Sequence, residues 1–122
     1  MKKFLIVDDR TDVREAYDVL INRQYKNAII DHASDGLEGF QKASAGDYSI
    51  IISDIDMPVM NGIEFYKKLK LELSPIEKKI IFVSGQIDQY KRSFLQEEGC
   101  HFLYKPFLTK DLLYLIDSVI EV

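Results

Sequence analysis

The sequence has a single cysteine, no long apolar run and no excess of positive charge, and each absence excludes a class of protein. Cys100 alone cannot form an internal disulfide bond, which excludes a disulfide-held scaffold. The longest apolar clusters, such as 49–53 and 80–83, fall far short of the roughly 20 residues that span a bilayer. A net charge of -4 offers no basic surface for nucleic acid or an anionic membrane, so we expect proteins as partners.

The amino terminus also lacks the pattern of a secretory signal peptide. Met1-Lys2-Lys3 is followed by only four apolar residues before two aspartates. Together with the lone cysteine, this predicts a cytoplasmic protein. We find no repeat and no linker-like stretch, so residues 1–122 are expected to form one domain with no output domain attached. A hydrophobic content of 47% is enough to form a core.

Five short apolar runs, mostly β-branched or aromatic, alternate with longer amphipathic segments. Such runs are typical of strands buried on both faces of a parallel sheet. The predicted strands are Phe4–Val7, Ala28–Asp31, Ser49–Ser53, Ile80–Ser84 and Phe102–Tyr104.

Apolar residues at helical spacing between and after these runs predict five helices. The apolar positions of the first three are Val13, Tyr17, Leu20 and Ile21, then Leu37, Phe40 and Ala43, then Ile63, Tyr66 and Leu69. The fourth is predicted from about Asp88 to Glu98 with Gly99 as a left-handed cap, and the fifth begins at Thr109 and runs through Leu112, Leu113 and Ile116. The prediction is a doubly wound α/β fold, (βα)₅, with a five-stranded parallel sheet.

Right-handed crossovers place the functional crevice of such a sheet at the carboxyl ends of its strands. Asp8 and Asp9 follow the first predicted strand, and Asp54 follows the third. Ser84 ends the fourth strand, and Lys105 follows the fifth. Three carboxylates, a hydroxyl and an amine are therefore expected to converge.

Three carboxylates in one crevice repel each other, and a cation bound among them would offset that repulsion. Mg²⁺, or Mn²⁺ in its place, prefers oxygen ligands and also binds phosphate oxygens, so the cluster is suited to phosphoryl transfer. Asp54 is the best candidate nucleophile, because an aspartate carboxylate can attack phosphorus to give an acyl phosphate. Lys105 supplies a second positive charge.

Four motifs in this order resemble those of response-regulator receiver domains of two-component systems, over the whole chain. They are Phe4-Leu-Ile-Val-Asp-Asp9, Asp54-Ile-Asp-Met-Pro-Val-Met-Asn-Gly62, Ser84-Gly85 and Lys105-Pro106-Phe107. Each motif alone is common, but four of them in order at predicted strand ends form a specific signal. The resemblance implies a flavodoxin-like receiver fold of the stand-alone, chemotaxis-regulator type.

The resemblance implies roles for the acidic residues. Asp54 would be the phosphorylation site, and Asp9 and Asp54 would bind the metal directly. Asp8 would hold the metal through water, and Asp56 would contribute its backbone carbonyl.

The resemblance also implies how the phosphoryl group is held and sensed. Ser84 and Lys105 would contact its oxygens, and the peptide bond from Lys105 to Pro106 would be cis. Phosphorylation would draw the Ser84 hydroxyl inward, and Phe102 would turn into the space left behind, remodelling the fourth helix and fifth strand.

The side chains of Asp56 and Gln86 flank the route of water to the acyl phosphate and are expected to tune its lifetime. They could orient water and shorten that lifetime, or the acidic Asp56 could equally repel the incoming phosphodonor. Expected partners are a histidine kinase or histidine phosphotransferase and a downstream protein target, with the chain a monomer or a phosphorylation-dependent dimer. We expect no enzymatic activity beyond its own phosphorylation and dephosphorylation.

Three other functions compete with this interpretation. Asp54-Ile-Asp56-Met57 superficially resembles the Asp-x-Asp motif of haloacid-dehalogenase-like phosphatases, but that motif lies on the first strand of a longer chain. A mononucleotide binder of flavodoxin type would need a Ser/Thr/Gly-rich phosphate loop, where Asp9-Arg10 stands instead. A phosphate-independent interaction module remains the third alternative.

Overall fold

The computed structural model describes residues 2–120, in which strands alternate with helices along the chain. The strands are β1 (Lys3–Val7), β2 (Ile29–Ala33), β3 (Ile50–Ser53), β4 (Ile80–Ser84) and β5 (His101–Tyr104). The helices are α1 (Thr11–Gln24), α2 (Gly36–Ala45), α3 (Gly62–Glu72), α4 (Gln89–Glu97) and α5 (Thr109–Ile120), and a 3₁₀ helix at Ile76–Lys79 precedes β4. The predicted (βα)₅ order is confirmed, and the 3₁₀ helix was not predicted.

All five strands are parallel and lie in one sheet of order β2-β1-β3-β4-β5. The chain moves outward from β1 to β2 and then returns past β1 to build the other half of the sheet. This reversal places helices on both faces, since α1 and α5 pack on one face while α2, α3 and α4 pack on the other. The doubly wound sheet is therefore as predicted.

Alternating strand side chains supply a core on each face of the sheet. Phe4 and Ile6 of β1 point into the core under α1 and α5, whereas Leu5 and Val7 point into the core under α2, α3 and α4. The central strands β1, β3 and β4 are almost entirely buried. The expectation of burial on both faces is wrong for β2 and β5, because each lies at an edge of the sheet and is partly exposed.

The bounds of β2 differ most from the prediction, which placed this strand at Ala28–Asp31. The strand continues past the predicted end at Asp31 through His32 and Ala33, and the two polar residues at this end each have a partner. Asp31 accepts a hydrogen bond from the Tyr48 hydroxyl at 2.6 Å, and His32 contacts Asp18 of α1 at 2.7 Å. Strands β1, β3 and β5 each begin one residue away from the predicted start, and β4 has the predicted bounds.

Helix α4 ends as its sequence indicates, at a glycine with left-handed backbone. Gly99 has φ of 69° and donates its N–H to the Gln96 carbonyl at 3.1 Å. Cys100 donates to the Leu95 carbonyl at 2.8 Å, and the two bonds form a Schellman motif. The chain therefore turns sharply from α4 into β5. Among residues 2–120, the helices are all too short or too polar to cross a membrane.

Candidate functional site

Three carboxylates come together where β1 and β3 end. These strands are neighbours and pair Val7 with Ser53, so the residues that follow them emerge side by side. Carboxylate oxygens of Asp8, Asp9 and Asp54 all lie within 4.8 Å of one another. This all-oxygen donor set suits a hard divalent cation such as Mg²⁺.

Asp8 is the buried member of this acidic cluster, with only 2% of its surface exposed. Its Oδ1 accepts the Arg10 backbone N–H at 2.9 Å, and its backbone carbonyl accepts from the Arg14 guanidinium at 2.6 Å. The Lys105 ammonium nitrogen is 3.5 Å from the other carboxylate oxygen, Oδ2. The Lys105 cation and the Arg10 backbone N–H thus offset the cost of burying this carboxylate.

Asp54 is only partly exposed, and its backbone N–H donates to the Val7 carbonyl at 2.9 Å. Its Oδ1 accepts from the backbone N–H of Ile55 at 2.7 Å, which fixes the orientation of the carboxylate. Burial raises the pKa of Asp54, and the charge of Asp8 adds to this rise. Lys105 and the backbone amides oppose the rise, so a bound cation would favour the ionised carboxylate further.

The segment after Asp54 is held closely by the start of α3. Gly62, the first residue of α3, donates its N–H to the Ile55 carbonyl at 2.7 Å. A Cβ at position 62 would lie 2.3 Å from the backbone oxygen of Asp54, so a side chain there would displace the loop. Asn61 and Glu64 form a capping box at this helix start. The glycine therefore allows α3 to begin directly against the backbone of Asp54.

Ser84 is buried at the end of β4, and its hydroxyl has two acceptors within reach. The backbone carbonyl of Gln86 is 3.2 Å from Ser84 Oγ, and Asp56 Oδ2 is 3.5 Å away. The Gln86 backbone N–H also donates to Ser84 Oγ at 3.2 Å. The side chains of Asp56 and Gln86 are both exposed, at the rim of the crevice. The Ser84 hydroxyl is therefore in contact with both residues whose side chains lie at this rim.

Lys91 also lies at this crevice, although it was not among the site residues predicted from the sequence. Its ammonium nitrogen is 2.7 Å from Asp56 Oδ1. Lys91 lies in the first turn of α4, seven residues beyond the end of β4, so a search limited to strand ends does not reach it. The available signal was Asp88 as the N-cap of α4, because helical side chains lean toward the amino terminus and would aim Lys91 at the crevice.

Lys105 directly follows β5, whereas Phe102 lies within the strand. Lys105 donates its backbone N–H to the Ser84 carbonyl at 2.9 Å, and its peptide bond to Pro106 is cis, as the resemblance implies. Phe102 pairs with Phe82 of β4 and packs against the core under α2, α3 and α4. Lys105 thus joins the acidic cluster, whereas Phe102 is a half-buried core residue beside β4.

Known proteins resemble this chain in sequence over most of its length. The sequence model of the response regulator receiver domain matches residues 4–117. Two-component response regulator 24 of Arabidopsis thaliana is 32% identical over 117 residues, which are 94% of this chain and 81% of that protein. Response regulator ArlR of Staphylococcus aureus is 27% identical over 99% of this chain but only 53% of its own length. The chain therefore spans about half of ArlR.

Solved structures give the same result. A CheY-like response regulator receiver domain protein from Methanospirillum hungatei superposes with a TM-score of 0.87 at 25% identity, covering 99% of this chain and 94% of that one. Response regulator protein TrrA from Thermotoga maritima, solved in complex with Mg²⁺-BeF, has a TM-score of 0.81 at 26% identity, with 98% and 99% covered. Since the family match covers nearly the whole sequence, the chain belongs to the response regulator receiver domain family.

Proposed function

We propose that Asp54 accepts a phosphoryl group in a reaction that depends on Mg²⁺ or Mn²⁺, and that this modification changes how the domain binds other proteins. The observation that carries the proposal is the acidic cluster, in which Asp8, Asp9 and Asp54 lie within 4.8 Å of one another. Lys105 lies 3.5 Å from the buried Asp8. Asp8, Asp9, Asp54 and the backbone carbonyl of Asp56 would hold the metal.

The transfer is a displacement at phosphorus. A carboxylate oxygen of Asp54 attacks the phosphorus of a phosphohistidine, a P–O bond forms and the P–N bond breaks. The bonding electron pair stays on the imidazole nitrogen, which takes up a proton. A bound Mg²⁺ supplies positive charge to the carboxylates and the phosphoryl oxygens. Lys105 and the hydroxyl of Ser84 stabilise the remaining charge on the equatorial oxygens.

The electrostatics of Asp54 support this dependence on a metal. Burial raises the pKa of its carboxyl group, and the nearby Asp8 raises it further. The nucleophile must be ionised, so a cation beside the cluster increases its reactive fraction. The neighbour TrrA was solved with Mg²⁺-BeF, a property of that protein that is consistent with the same ligand class here.

Other proteins would donate the phosphoryl group and would bind the surface that phosphorylation changes. We expect a histidine kinase or histidine phosphotransferase as donor, a downstream protein as target and the cytoplasm as location. The chain would catalyse only its own phosphorylation and dephosphorylation, either as a monomer or as a dimer formed on phosphorylation. Asp56 and Gln86, exposed at the rim of the crevice, would tune the lifetime of the acyl phosphate.

The proposed route to that surface runs through Ser84 and Phe102. Ser84 would exchange its contacts with Asp56 and Gln86 for a phosphoryl oxygen, and Phe102 would follow. We expect Phe102→Ala to keep phosphorylation of Asp54 but to reduce the difference in target affinity between the two phosphorylation states. A titration of phosphorylated and unphosphorylated protein with its target measures this difference. An undiminished difference would exclude Phe102 from the route.

The test of the proposal is intact-mass spectrometry after incubation with acetyl phosphate and Mg²⁺. We expect a gain of about 80 Da, the mass of one phosphoryl group, that EDTA abolishes and that Asp54→Asn prevents. Asp47→Asn, at an exposed aspartate in the loop before β3, is the matched control and should gain the same mass as the wild-type chain.

The competing function is an interaction module that works without phosphate. It predicts no mass gain with any small donor or with a cognate kinase, at any Mg²⁺ concentration. That outcome would leave the acidic cluster as a metal site without phosphotransfer.

A further inference from the structure

The carboxylate of Asp56 is shared between the phosphoacceptor crevice and α4. Its Oδ2 is 3.5 Å from the hydroxyl of Ser84, and its Oδ1 is 2.7 Å from the ammonium of Lys91. The Asp56 side chain is 50% exposed, whereas that of Lys91 is only 23% exposed. The stem of Lys91 therefore lies along the protein surface and holds its charge at the crevice, instead of extending into water.

Asp56 is a fourth carboxylate at a crevice that already holds Asp8, Asp9 and Asp54. Lys105 compensates charge on the side of Asp8, at 3.5 Å. On the side of Asp56, the compensating cation is Lys91. A phosphodonor is itself an anion, so any uncompensated carboxylate at the entrance opposes its approach.

The geometry of α4 directs Lys91 to this position. Asp88 caps the helix and accepts the backbone N–H of Lys91 at 2.9 Å, which fixes that residue in the first turn. The side chain then reaches back to Asp56, so its charge lies at the side of the crevice opposite Lys105.

We propose that Lys91 is a positioning residue for phosphorylation of Asp54, which acts by neutralising Asp56 and holding its carboxylate against α4. The incoming phosphodonor then meets a neutral pair at this side of the crevice instead of a free negative charge. The inference rests on the proposed phosphotransfer to Asp54. It adds a residue of α4 to the groups that set the rate of that reaction.

The expected effect is kinetic and depends on Asp56. Lys91→Gln should slow phosphorylation by acetyl phosphate roughly three- to fivefold at low salt, as for loss of one partly exposed ion pair. Lys91→Arg should restore most of the rate, because it restores the charge. Added salt should shrink the difference between Lys91→Gln and the wild-type chain, because salt screens the exposed charge of Asp56.

The decisive comparison repeats Lys91→Gln in an Asp56→Asn background, where there is no carboxylate to neutralise. We expect the substitution to have little effect there. Lys68→Gln is the matched control, since Lys68 also contacts a carboxylate at 2.7 Å, that of Glu72 in α3, with similar exposure. It removes one ammonium group and should leave the rate unchanged.

The outcomes separate the two proposals. The inference is overturned if wild type and Lys91→Gln are phosphorylated at equal rates, or if Lys91→Gln is equally harmful with Asn at position 56. In both cases the wild-type chain still gains a phosphoryl group, so the proposed function stands. If the wild-type chain gains none, both proposals fail together.

Discussion

Helices α3 and α4 lie on the same face of the sheet beside the crevice that holds Asp54, yet they are anchored very differently. Both begin at a side-chain cap, Asn61 for α3 and Asp88 for α4. The buried residues of α3 are Gly62, Ile63, Phe65, Tyr66 and Leu69, whereas α4 buries Leu95 alone.

Polar contacts hold the first turns of α4 instead. Lys91 forms an ion pair with Asp56 of the loop before α3. The Arg92 guanidinium contacts both the hydroxyl and the ring of Tyr104 in β5. Such contacts are individually weak in water and depend on local charge. The buried face of α3 therefore fixes the backbone of Asp54, and we expect α4, with one buried residue, to be the helix that shifts more easily.

Removing one aromatic side chain from each helix is the strongest test of this difference. Phe65→Ala should lower the free energy of unfolding by about 3–5 kcal/mol, because the ring of α3 is fully buried. Phe94→Ala in α4 should cost only about 1–2 kcal/mol, since that ring is already partly exposed to water. Urea unfolding measures both, and equal losses would show that the two helices are anchored alike.

Two glycines beside the site test the same difference at the backbone. A Cβ at Gly62 would lie 2.3 Å from the Asp54 carbonyl, whereas a Cβ at Gly85 would meet nothing within 4 Å. We expect Gly62→Ala to lower the free energy of unfolding by about 1–3 kcal/mol and to slow phosphorylation, because the loop must move. Gly85→Ala should stay within roughly 0.5 kcal/mol of wild type. If both variants have the same free energy of unfolding and the same rate of mass gain, the backbone at the start of α3 is no more rigid than the backbone at Gly85.

The smallest expected effect is the pH dependence of the free energy of unfolding that comes from the carboxylate of Asp54. Burial and Asp8 raise the pKa of Asp54 in the folded protein, so the folded state binds more protons between the unfolded and folded pKa values. The free energy of unfolding contributed by Asp54 is therefore greatest below the unfolded pKa and is lost as pH rises through the folded pKa.

Asp54→Asn should therefore be more stable than wild type above that pH window, in EDTA, and the advantage should vanish below it. Urea unfolding at a series of pH values measures the difference, with Asp47→Asn as the control. An advantage of Asp54→Asn that persists unchanged at low pH would contradict a raised pKa.

Much of the fold could be predicted because the pattern of apolar residues is nearly complete. Strand β4 has the predicted bounds, and α4 is bounded by the predicted Asp88 and Glu98 as its caps. Strand β2 was predicted to end two residues early because the polar His32 follows Asp31, while the partner of His32, Asp18, lies in another element, α1. Edge strands depend on such tertiary contacts, which the local pattern does not contain.

The residues of the candidate site also divide into those that the sequence predicts and those that only the structure reveals. Asp8, Asp9, Asp54 and Lys105 were predictable as neighbours, because parallel strands place their carboxyl ends along one edge of the sheet. Lys91 was not, since its contact with Asp56 joins a helix to a loop through a long flexible side chain. The roles of Ser84, Phe102 and Gln86 in phosphorylation stay predictions.

The measurement that tests the central claim most directly is the position of the phosphoryl group. The wild-type chain would be incubated with acetyl phosphate and Mg²⁺ and then reduced with borohydride, which converts an aspartyl phosphate to homoserine, before peptide mass mapping. We expect homoserine at position 54 in the presence of Mg²⁺, and aspartate there in EDTA. Homoserine at another aspartate, or at none while a kinase and small donors are supplied, would contradict the assignment of Asp54 as the phosphoacceptor.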